Sequence, residues 1–308
     1  MKVSLRPVLI VPFVLQIFAT VGLVGYLSFR NGQKAVNDLA TQLRQEVADR
    51  VQQYLDTYLS RPFLINGINT NAIESGALDT QDFERAREYL WKQIQLFESV
   101  PNIGFGTEAG DFIAIERQED GSYISKIVVR SQSKDKAIHK LDSQGDRDEF
   151  IKTVIDFDVR RRQWYQNNKN AGKPSWSDVY AWVSRDRMAL NAGAPFYNEN
   201  GEFQGVLATD LLLSYISNFL ANLEIGRSGQ VFIVEKSGNL IASSTVEQPF
   251  VNTNGEIERI RATASQDPLV STSARYLETQ FGDFSKIAQL QKIDFQIDGE
   301  RQFLQVTL

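Results

Sequence analysis

One run of 23 residues without a charged side chain, from Pro7 to Phe29, constrains the chain more than any other feature. An α-helix rises about 1.5 Å per residue, so the run spans about 34 Å, and the core of a bilayer is about 30 Å thick. A cleaved signal peptide has a shorter apolar region, of about 7–15 residues, that ends in small residues. Because this run continues through Leu23, Val24 and Phe29, it predicts an uncleaved transmembrane helix over residues 7–29, in contact with membrane lipid.

The residues before this span predict its orientation. Lys2 and Arg6 precede it without an acidic neighbour, and positively charged flanks stay in the cytoplasm. We therefore expect residues 1–6 to be cytoplasmic and the chain after Arg30 to face the periplasm or the exterior. The predicted location is the plasma (inner) membrane, with a single N-terminal span.

A stripe of apolar residues at steps of three or four follows the span and predicts a helix of about thirty residues. Its members are Val36, Leu39, Leu43, Val47, Val51, Tyr54 and Tyr58. The stripe either packs on the domain that follows or pairs with a second copy, as in a homodimer. We expect Pro62 to end or kink this stalk helix, and we assign residues 30–78 to the stalk and its connection.

The remaining chain reads as helices followed by short strands. Asp79 to Ser99 predicts a second helix with Asp79 or Thr80 as its N-cap, and Asp210 to Leu223 predicts a third. Turn residues separate the β-like runs between them, which indicates an antiparallel sheet. The predicted strands are Ile103–Thr107, Phe112–Glu116, Tyr123–Arg130, Met188–Phe196 and Phe203–Thr209.

A second, shorter sheet is predicted after the sequence Gly226-Arg227-Ser228-Gly229. It begins with a hairpin from Gln230 to Ser243 and includes two last strands, Ile293–Ile297 and Gln302–Leu308, joined by Asp298-Gly299-Glu300-Arg301. We expect a truncated second module, because a strand at the chain end lacks its sheet neighbours. The fold class is therefore α+β, with two antiparallel-sheet modules in series, residues 79–223 and 224–308.

Composition excludes several classes of function. A net charge of −5 argues against a nucleic-acid partner. The chain has no cysteine and one histidine, His139, which we read as a solvated loop residue in the polar stretch from Lys134 to Gly145. No catalytic residue, metal site or cofactor is predicted, because no nucleotide-binding, hydrolase or zinc motif is present in its required context.

Three stretches, in this order, carry a resemblance to a known family. They are Arg162-Gln163-Trp164-Tyr165, Gly205-Val206-Leu207-Ala208-Thr209-Asp210, and the hairpin from Gly229 to Ala242. With the membrane anchor and the long helix, the chain resembles the double-Cache sensor family of bacterial chemoreceptors, histidine kinases and receptor cyclases over roughly residues 35–308. The resemblance implies two PAS-like modules and a sensor region without enzyme activity, whose output domain lies outside this sequence.

The resemblance also implies a ligand pocket in the membrane-distal module. In the amino-acid-sensing branch the motif continues with a tyrosine and an aspartate, and Tyr180 and Asp210 take these places here. The family also has a tyrosine five residues before the motif arginine, and Phe157 replaces it in this chain. The implied ligand-binding residues are Phe157, Arg162, Trp164, Tyr165, Tyr180 and Asp210. A guanidinium can bind a carboxylate through two hydrogen bonds and a carboxylate can bind an ammonium, so the implied ligand is an amino acid or amine, or else an organic acid.

Other interpretations remain open at this point. Arg160 and Arg161 are competing cations beside Arg162. The aromatic residues can be core residues, and Arg162 with Asp210 can be a structural ion pair. The ectodomain can instead be a ligand-free structural or partner-binding domain, or a membrane-anchored hydrolase, although no converging carboxylate pair is predicted.

Overall fold

The computed structural model describes residues 5–182, 187–225, 229–253, 256–297 and 299–308. Three predicted features fall partly outside the described residues: the first four residues of the cytoplasmic N-terminus, the sequence Gly226-Arg227-Ser228, and Asp298 of the last turn.

The chain begins with one helix of 70 residues, α1 (Leu5–Glu74), which includes Pro12 and Pro62. Pro62 was expected to end or kink the helix, and it does not end it, because α1 continues to Glu74. Tyr58 and Ile65, on either side of Pro62, are buried in the main core, and this packing holds the helix together where proline removes a backbone hydrogen bond. An 18-residue window of α1 has a mean hydropathy of 1.7 and no buried residue, so by length and composition the helix can cross a membrane once.

The second helix, α2 (Phe83–Gln95), begins later than predicted. Its N-cap is Asp82, whose side chain accepts hydrogen bonds from the backbone N–H groups of Glu84 and Arg85. Asp79 instead accepts from the N–H of Gln81 at 2.8 Å, so it caps the turn before the helix. Both helices lie against one face of the first sheet.

The first sheet has nine antiparallel strands in the order β5-β4-β3-β2-β1-β9-β8-β6, with β7 also paired to β8. The strands are β1 (Asn102–Thr107), β2 (Phe112–Arg117), β3 (Tyr123–Val128), β4 (Lys136–Leu141), β5 (Arg147–Val154), β6 (Ser175–Trp176), β7 (Tyr180–Ala181), β8 (Met188–Tyr197) and β9 (Phe203–Leu212). All five strands predicted in this region are confirmed. The strands β4 to β7 were not predicted.

Two predictions about this sheet were wrong. His139 lies in β4, not in a loop, and its ring meets Phe150 of β5 at 5.4 Å between centroids. The exposed β5 is the edge strand and the polar β4 lies beside it, and both lack the apolar alternation that marks a half-buried strand. Asp210 lies in β9 instead of beginning a helix, because β9 extends to Leu212 and α4 (Leu213–Ala221) starts after it.

The second part of the chain contains three two-stranded sheets. They are formed by β10 (Phe232–Val234) with β11 (Leu240–Ser243), β12 (Phe250–Thr253) with β13 (Glu256–Arg259), and β14 (Gln291–Ile297) with β15 (Glu300–Val306). The opening hairpin and the last two strands are confirmed, and helix α5 (Pro268–Phe281) was not predicted. The boundary between the modules at residues 223 and 224 stays a prediction.

Candidate ligand-binding site

The face of the first sheet that points away from α1 and α2 carries a row of polar side chains. Asn102 of β1 lies opposite Glu116 of β2 and Asp210 of β9, and Asp210 lies opposite Asn191 of β8. Residues that are directly opposite in an antiparallel sheet share one face. Four polar residues from four neighbouring strands therefore meet on this face.

The next row of the same face consists of small residues. Gly104 pairs with Ala114 and Ala208, and Ala208 pairs with Gly193. A Cβ atom on Gly193 would lie 2.1 Å from Nδ2 of Asn168, so a larger residue would push Asn168 and its helix off the sheet. The small row lets the covering helix approach closely.

Asp210 is the centre of the polar row. Its side chain is buried, and the carboxylate accepts hydrogen bonds from the Tyr180 hydroxyl at 2.8 Å, from Asn191 Nδ2 at 2.6 Å and from Asn102 Nδ2 at 2.9 Å. Burial raises the pKa of Asp210, while the hydrogen bonds from Asn191 and Tyr180 act in the opposite direction. Burial and the neighbouring Asp210 raise the pKa of Tyr180 well above its usual value.

Three neutral donors therefore hold this carboxylate, and in the described part of the chain no cation forms an ion pair with it. The hypothesis of a structural Arg162–Asp210 ion pair consequently has no counterpart among the described residues.

Two further hydrogen-bond acceptors lie beside Asp210. Because Asn102 and Asn191 both donate through Nδ2, their Oδ1 atoms are left buried and have no partner within the described ranges. Buried polar atoms in folded proteins are nearly always hydrogen-bonded. The carboxylate and the two amide oxygens form an acceptor cluster that matches the N–H donors of an ammonium group.

A short 3₁₀ helix (Val159–Arg161) and helix α3 (Gln163–Ala171), which was not predicted, cover this face. Tyr165 of α3 is buried, and its hydroxyl donates to Glu108 Oε2 at 3.3 Å. It belongs to a core cluster with Val159 and Phe112. Tyr165 thus packs as a core aromatic here, which is the interpretation that the sequence left open beside ligand binding.

Trp164 and Phe157 are half-buried at the edge of the same cluster. The Trp164 ring meets Tyr165 edge-on, with the centroids 5.8 Å apart. The Phe157 ring packs on Phe112 at 5.2 Å, and Lys136 Nζ lies 4.0 Å from its centroid. Both rings are placed to form an aromatic wall.

The three consecutive arginines differ in their partners. Arg160 donates twice to Asp158, at 3.0 and 2.9 Å, and Arg161 faces Asp156 at 3.7 Å. The exposed Arg162 side chain has no hydrogen bond or ion pair within the part of the chain that the structure describes. Its positive charge acts to lower the pKa of Tyr180, the residue that donates to Asp210. Arg162 is therefore the free cation of the three.

A buried ion pair borders the polar row, formed by Lys126 of β3 and Glu116 of β2. Lys126 Nζ also lies 5.4 Å from the centroid of the Trp182 ring. The positive charge of Lys126 acts to lower the pKa of Asp210. Lys126 and the two asparagines belong to the site by position, although the sequence alone did not indicate them.

Other candidate sites among the described residues are two surface clefts and any cluster of metal-binding side chains. Open clefts of about 490 and 480 Å³ lie at the start of α2 and beside the turn between β2 and β3, away from Asp210. No group of three or more acidic or histidine side chains among the described residues could hold a metal ion. The side chains of Asn102, Asn191 and Asp210 are buried in this conformation.

Residues 32–304 match the model of the Cache domain family. The chain belongs to this family. The resemblance to double-Cache sensors and the predicted α+β fold are thereby confirmed, and the Cache domains of chemoreceptors are ligand-binding domains without enzyme activity.

Two curated Cache relatives are chemotaxis proteins of Pseudomonas. The chain is 23% identical to the methyl-accepting chemotaxis protein McpA of Pseudomonas putida over 63% of its own length and 29% of McpA. It is 27% identical to PctB of Pseudomonas aeruginosa over 30% of its own length and 15% of PctB. The matched region thus spans less than a third of either relative.

Solved Cache structures share the fold. The ligand-binding domain of the amino acid chemoreceptor PctC of Pseudomonas aeruginosa, in complex with GABA, aligns with a TM-score of 0.51 at 14% identity, over 84% of this chain and 88% of that one. The extracellular domain of mmHK1S-Z3 aligns with a TM-score of 0.52 at 14% identity, over 83% of this chain and 84% of that one. At this identity the likeness concerns the fold alone.

Proposed function

We propose that this chain is the outward-facing sensor region of a transmembrane receptor, and that its membrane-distal module (residues 79–223) binds a small molecule carrying an ammonium and a carboxylate. The observation that carries the proposal is the buried acceptor cluster of Asp210, Asn102 and Asn191, which forms no ion pair with a cation among the described residues. The membrane-proximal module is assigned to residues 224–308.

The ammonium of the ligand binds the acceptor cluster, and its carboxylate binds the Arg162 guanidinium. Trp164 and Phe157 wall the pocket between them, and Tyr180 orients the Asp210 carboxylate. Each charge-assisted hydrogen bond contributes about 1.5–3 kcal/mol, so three or four of them supply the roughly 8 kcal/mol of a micromolar complex. GABA, the ligand in the PctC complex, carries the same two charged groups, which supports an amino acid or amine over an organic acid.

Helix α1 provides a path from the pocket to the membrane. On the side of the sheet opposite the pocket, Asn66 of α1 donates to the Ala192 carbonyl at 2.8 Å and accepts from the Thr209 hydroxyl at 2.8 Å. In sequence, Ala192 directly follows the pocket residue Asn191, and Thr209 directly precedes the pocket residue Asp210. A ligand that moves β8 and β9 therefore moves Asn66, and shifts of about 1–2 Å are sufficient for helix-based switching.

An ectodomain without a small ligand is the second candidate. It is favoured by the closed conformation of the cluster, in which three neutral donors already satisfy Asp210. A membrane-anchored hydrolase is supported by no observation among the described residues.

A binding screen separates the two candidates. The purified full chain in detergent is screened by thermal shift against amino acids, amines and small organic acids, and each hit is titrated by calorimetry. We expect an amino acid or amine at 100 times its dissociation constant to add about 2.7 kcal/mol of stability, a shift of a few degrees. Arg162→Ala is expected to weaken binding at least 10-fold, because it removes the carboxylate partner.

Arg161→Ala is the matched control, since Arg161 is also exposed but faces Asp156. The affinity of this variant for the ligand should stay within about twofold of that of the unmodified chain. If a folded sample binds none of the compounds, the sensor proposal fails and the ligand-free ectodomain takes its place. If both arginine variants bind like the unmodified chain, the carboxylate does not bind at Arg162.

A further inference from the structure

Lys136 of β4 points to the same face of the sheet as the pocket. Its neighbour Ile138, two residues along β4, pairs with Lys126 of β3, and side chains alternate along a strand. The Lys136 ammonium lies 4.0 Å from the centroid of the Phe157 ring. The resemblance to amino-acid sensors places a tyrosine at position 157, so in this chain the pocket has a phenyl ring with a lysine over it.

Lys136 is half-buried and has no acidic partner among the described residues. This is unusual, because a buried lysine is normally paired. Burial, together with the charges of Lys126, Arg162 and Lys152, lowers the pKa of Lys136 to about 8, while Glu116 acts in the opposite direction. An anion at this position would relieve the cost of a desolvated charge in a field of like charges.

Arg162 and Lys136 are the two cations that this site offers to an anion. Neither forms a hydrogen bond or ion pair through its side chain among the described residues, and the charge of Arg162 acts to lower the pKa of both Tyr180 and Lys136. The site therefore combines an acceptor cluster for an ammonium with one free cation at Arg162 and a second at Lys136, beside Phe157. An acidic amino acid carries the complementary groups: an ammonium, an α-carboxylate and a side-chain carboxylate.

From this arrangement we infer that Lys136 is a specificity-determining residue that binds the side-chain carboxylate of an acidic amino acid. The inference rests on the proposed function, because it requires the ammonium and α-carboxylate to bind at Asp210 and Arg162. The unpaired cations Arg162 and Lys136 and the carboxylate of Asp210 are balanced by a ligand with two negative charges and one positive charge. A neutral amino acid leaves Lys136 unpaired.

The test compares L-glutamate with L-glutamine, which have the same shape and differ in one charge. Calorimetric titration of the full chain in detergent at pH 6.5 should give at least a 10-fold preference for L-glutamate, the size expected for one charge-assisted hydrogen bond. Lys136→Met keeps the length and the contact with Phe157 but removes the charge. We expect it to abolish the preference through weaker L-glutamate binding, with L-glutamine binding within about threefold.

Two further measurements keep the result interpretable. Lys292→Met, an exposed lysine on β14, is the matched control and should keep the preference; Lys136→Arg restores a cation and should restore the preference. Since only the protonated lysine binds the anion, the preference should also fall as the pH rises through about 8. This measurement needs no variant, and the two ligands share the α-amino group, so its titration cancels in the ratio.

The inference is overturned if both ligands bind equally, if Lys136→Met weakens both to the same extent, or if the ratio stays constant from pH 6.5 to pH 9. In each of these cases amino acid binding itself persists and the proposed function stands. If other amino acids bind but neither of these does, the acidic specificity alone is wrong. If no amino acid or amine binds, both the inference and the proposed function fall.

Discussion

Asp210 is a buried carboxylate that is surrounded by neutral donors. A buried charge without a counter-charge destabilises the folded protein even when hydrogen bonds offset part of the cost. Binding sites commonly hold such groups because the ligand supplies the missing charge. Asp210 is therefore well suited to bind an ammonium, and it makes the ligand-free protein less stable.

Replacing Asp210 by asparagine should separate stability from binding. Burial raises the pKa of Asp210 above its usual 3.8, so the folded state holds this proton more tightly than the unfolded state. Stability from this group is then fully present below pH 3.8 and is lost as the pH rises through the raised pKa. Asp210→Asn should remove this loss, keep or increase the stability at neutral pH, and weaken the binding of an amino acid or amine by at least 10-fold.

Thermal unfolding between pH 4 and pH 8 measures this difference. Asp148→Asn is the control, because Asp148 is exposed on β5 and should leave the pH dependence unchanged. The idea is wrong if Asp210→Asn and the unmodified chain lose stability in parallel over this pH range.

Helix α1 packs on the sheet opposite the proposed pocket and continues into the predicted membrane span. It passes Pro62 without a break, because Tyr58 and Ile65 are buried against the sheet. The Tyr58 hydroxyl donates to the Leu212 carbonyl at 3.0 Å, at the end of the strand that carries Asp210. Local helix breaking by proline is thus outweighed by contacts made on both sides of it.

Asn66→Ala should uncouple α1 from the pocket. It removes the hydrogen bonds to Ala192 and Thr209 and leaves their buried polar groups unpaired, which costs about 1–3 kcal/mol of stability. Ligand affinity should change only a few-fold, since Asn66 lies on the opposite face of the sheet. The movement of α1 on ligand binding should disappear.

Spin labels on Arg50→Cys in α1 and Asp148→Cys in β5 report this movement, and the chain has no other cysteine. The ligand should change the label distance in the parent protein and in the control Gln53→Ala, an exposed change on α1, but not with Asn66→Ala. Persistence of the change in Asn66→Ala would sink the coupling path.

In the whole molecule, the apolar stripe of α1 divides into two parts. Val47 and Tyr58 are 6% and 2% exposed, whereas Val36, Leu39 and Leu43 are 64%, 65% and 43% exposed. The upper part of the stripe therefore packs on the domain. The lower part, formed by Val36, Leu39 and Leu43 next to the predicted span, is uncovered in the single chain. An apolar stripe on a solvent-exposed helix is commonly covered by another helix.

We expect the lower part, outside the predicted span, to pair with the same segment of a second copy of the membrane-anchored chain. Under oxidising conditions Leu39→Cys should form a disulfide-linked dimer, while Lys34→Cys, on the opposite side of α1 by helical geometry, should not. Non-reducing electrophoresis of membranes measures the linked fraction. Equal cross-linking at both positions, or none at either, would contradict a homodimer through this stripe.

Several features of this protein follow from the sequence because they depend on local patterns. The uncharged run from Pro7 to Phe29 has the length of a membrane span, and the stripe from Val36 to Tyr58 has the period of a helix. Strands such as Phe203–Thr209 were recognisable because an apolar run lies between two groups of turn residues. These patterns, with the motif around Arg162, determined the α+β class and the family.

Only the tertiary structure decided which side chains meet at the site. Asn102 joins Asp210 across 108 residues of sequence, and no local pattern encodes register between such distant strands. Asn191 joins Asp210 across the turn between β8 and β9, which are 19 residues apart at this pair. Lys136, assigned here to ligand specificity, lies on β4, beside the edge strand, and the polar sequence of β4 resembles a loop. Local sequence determines the elements because hydrophobic periodicity is a short-range property. The site depends on pairing between strands, which is long-range.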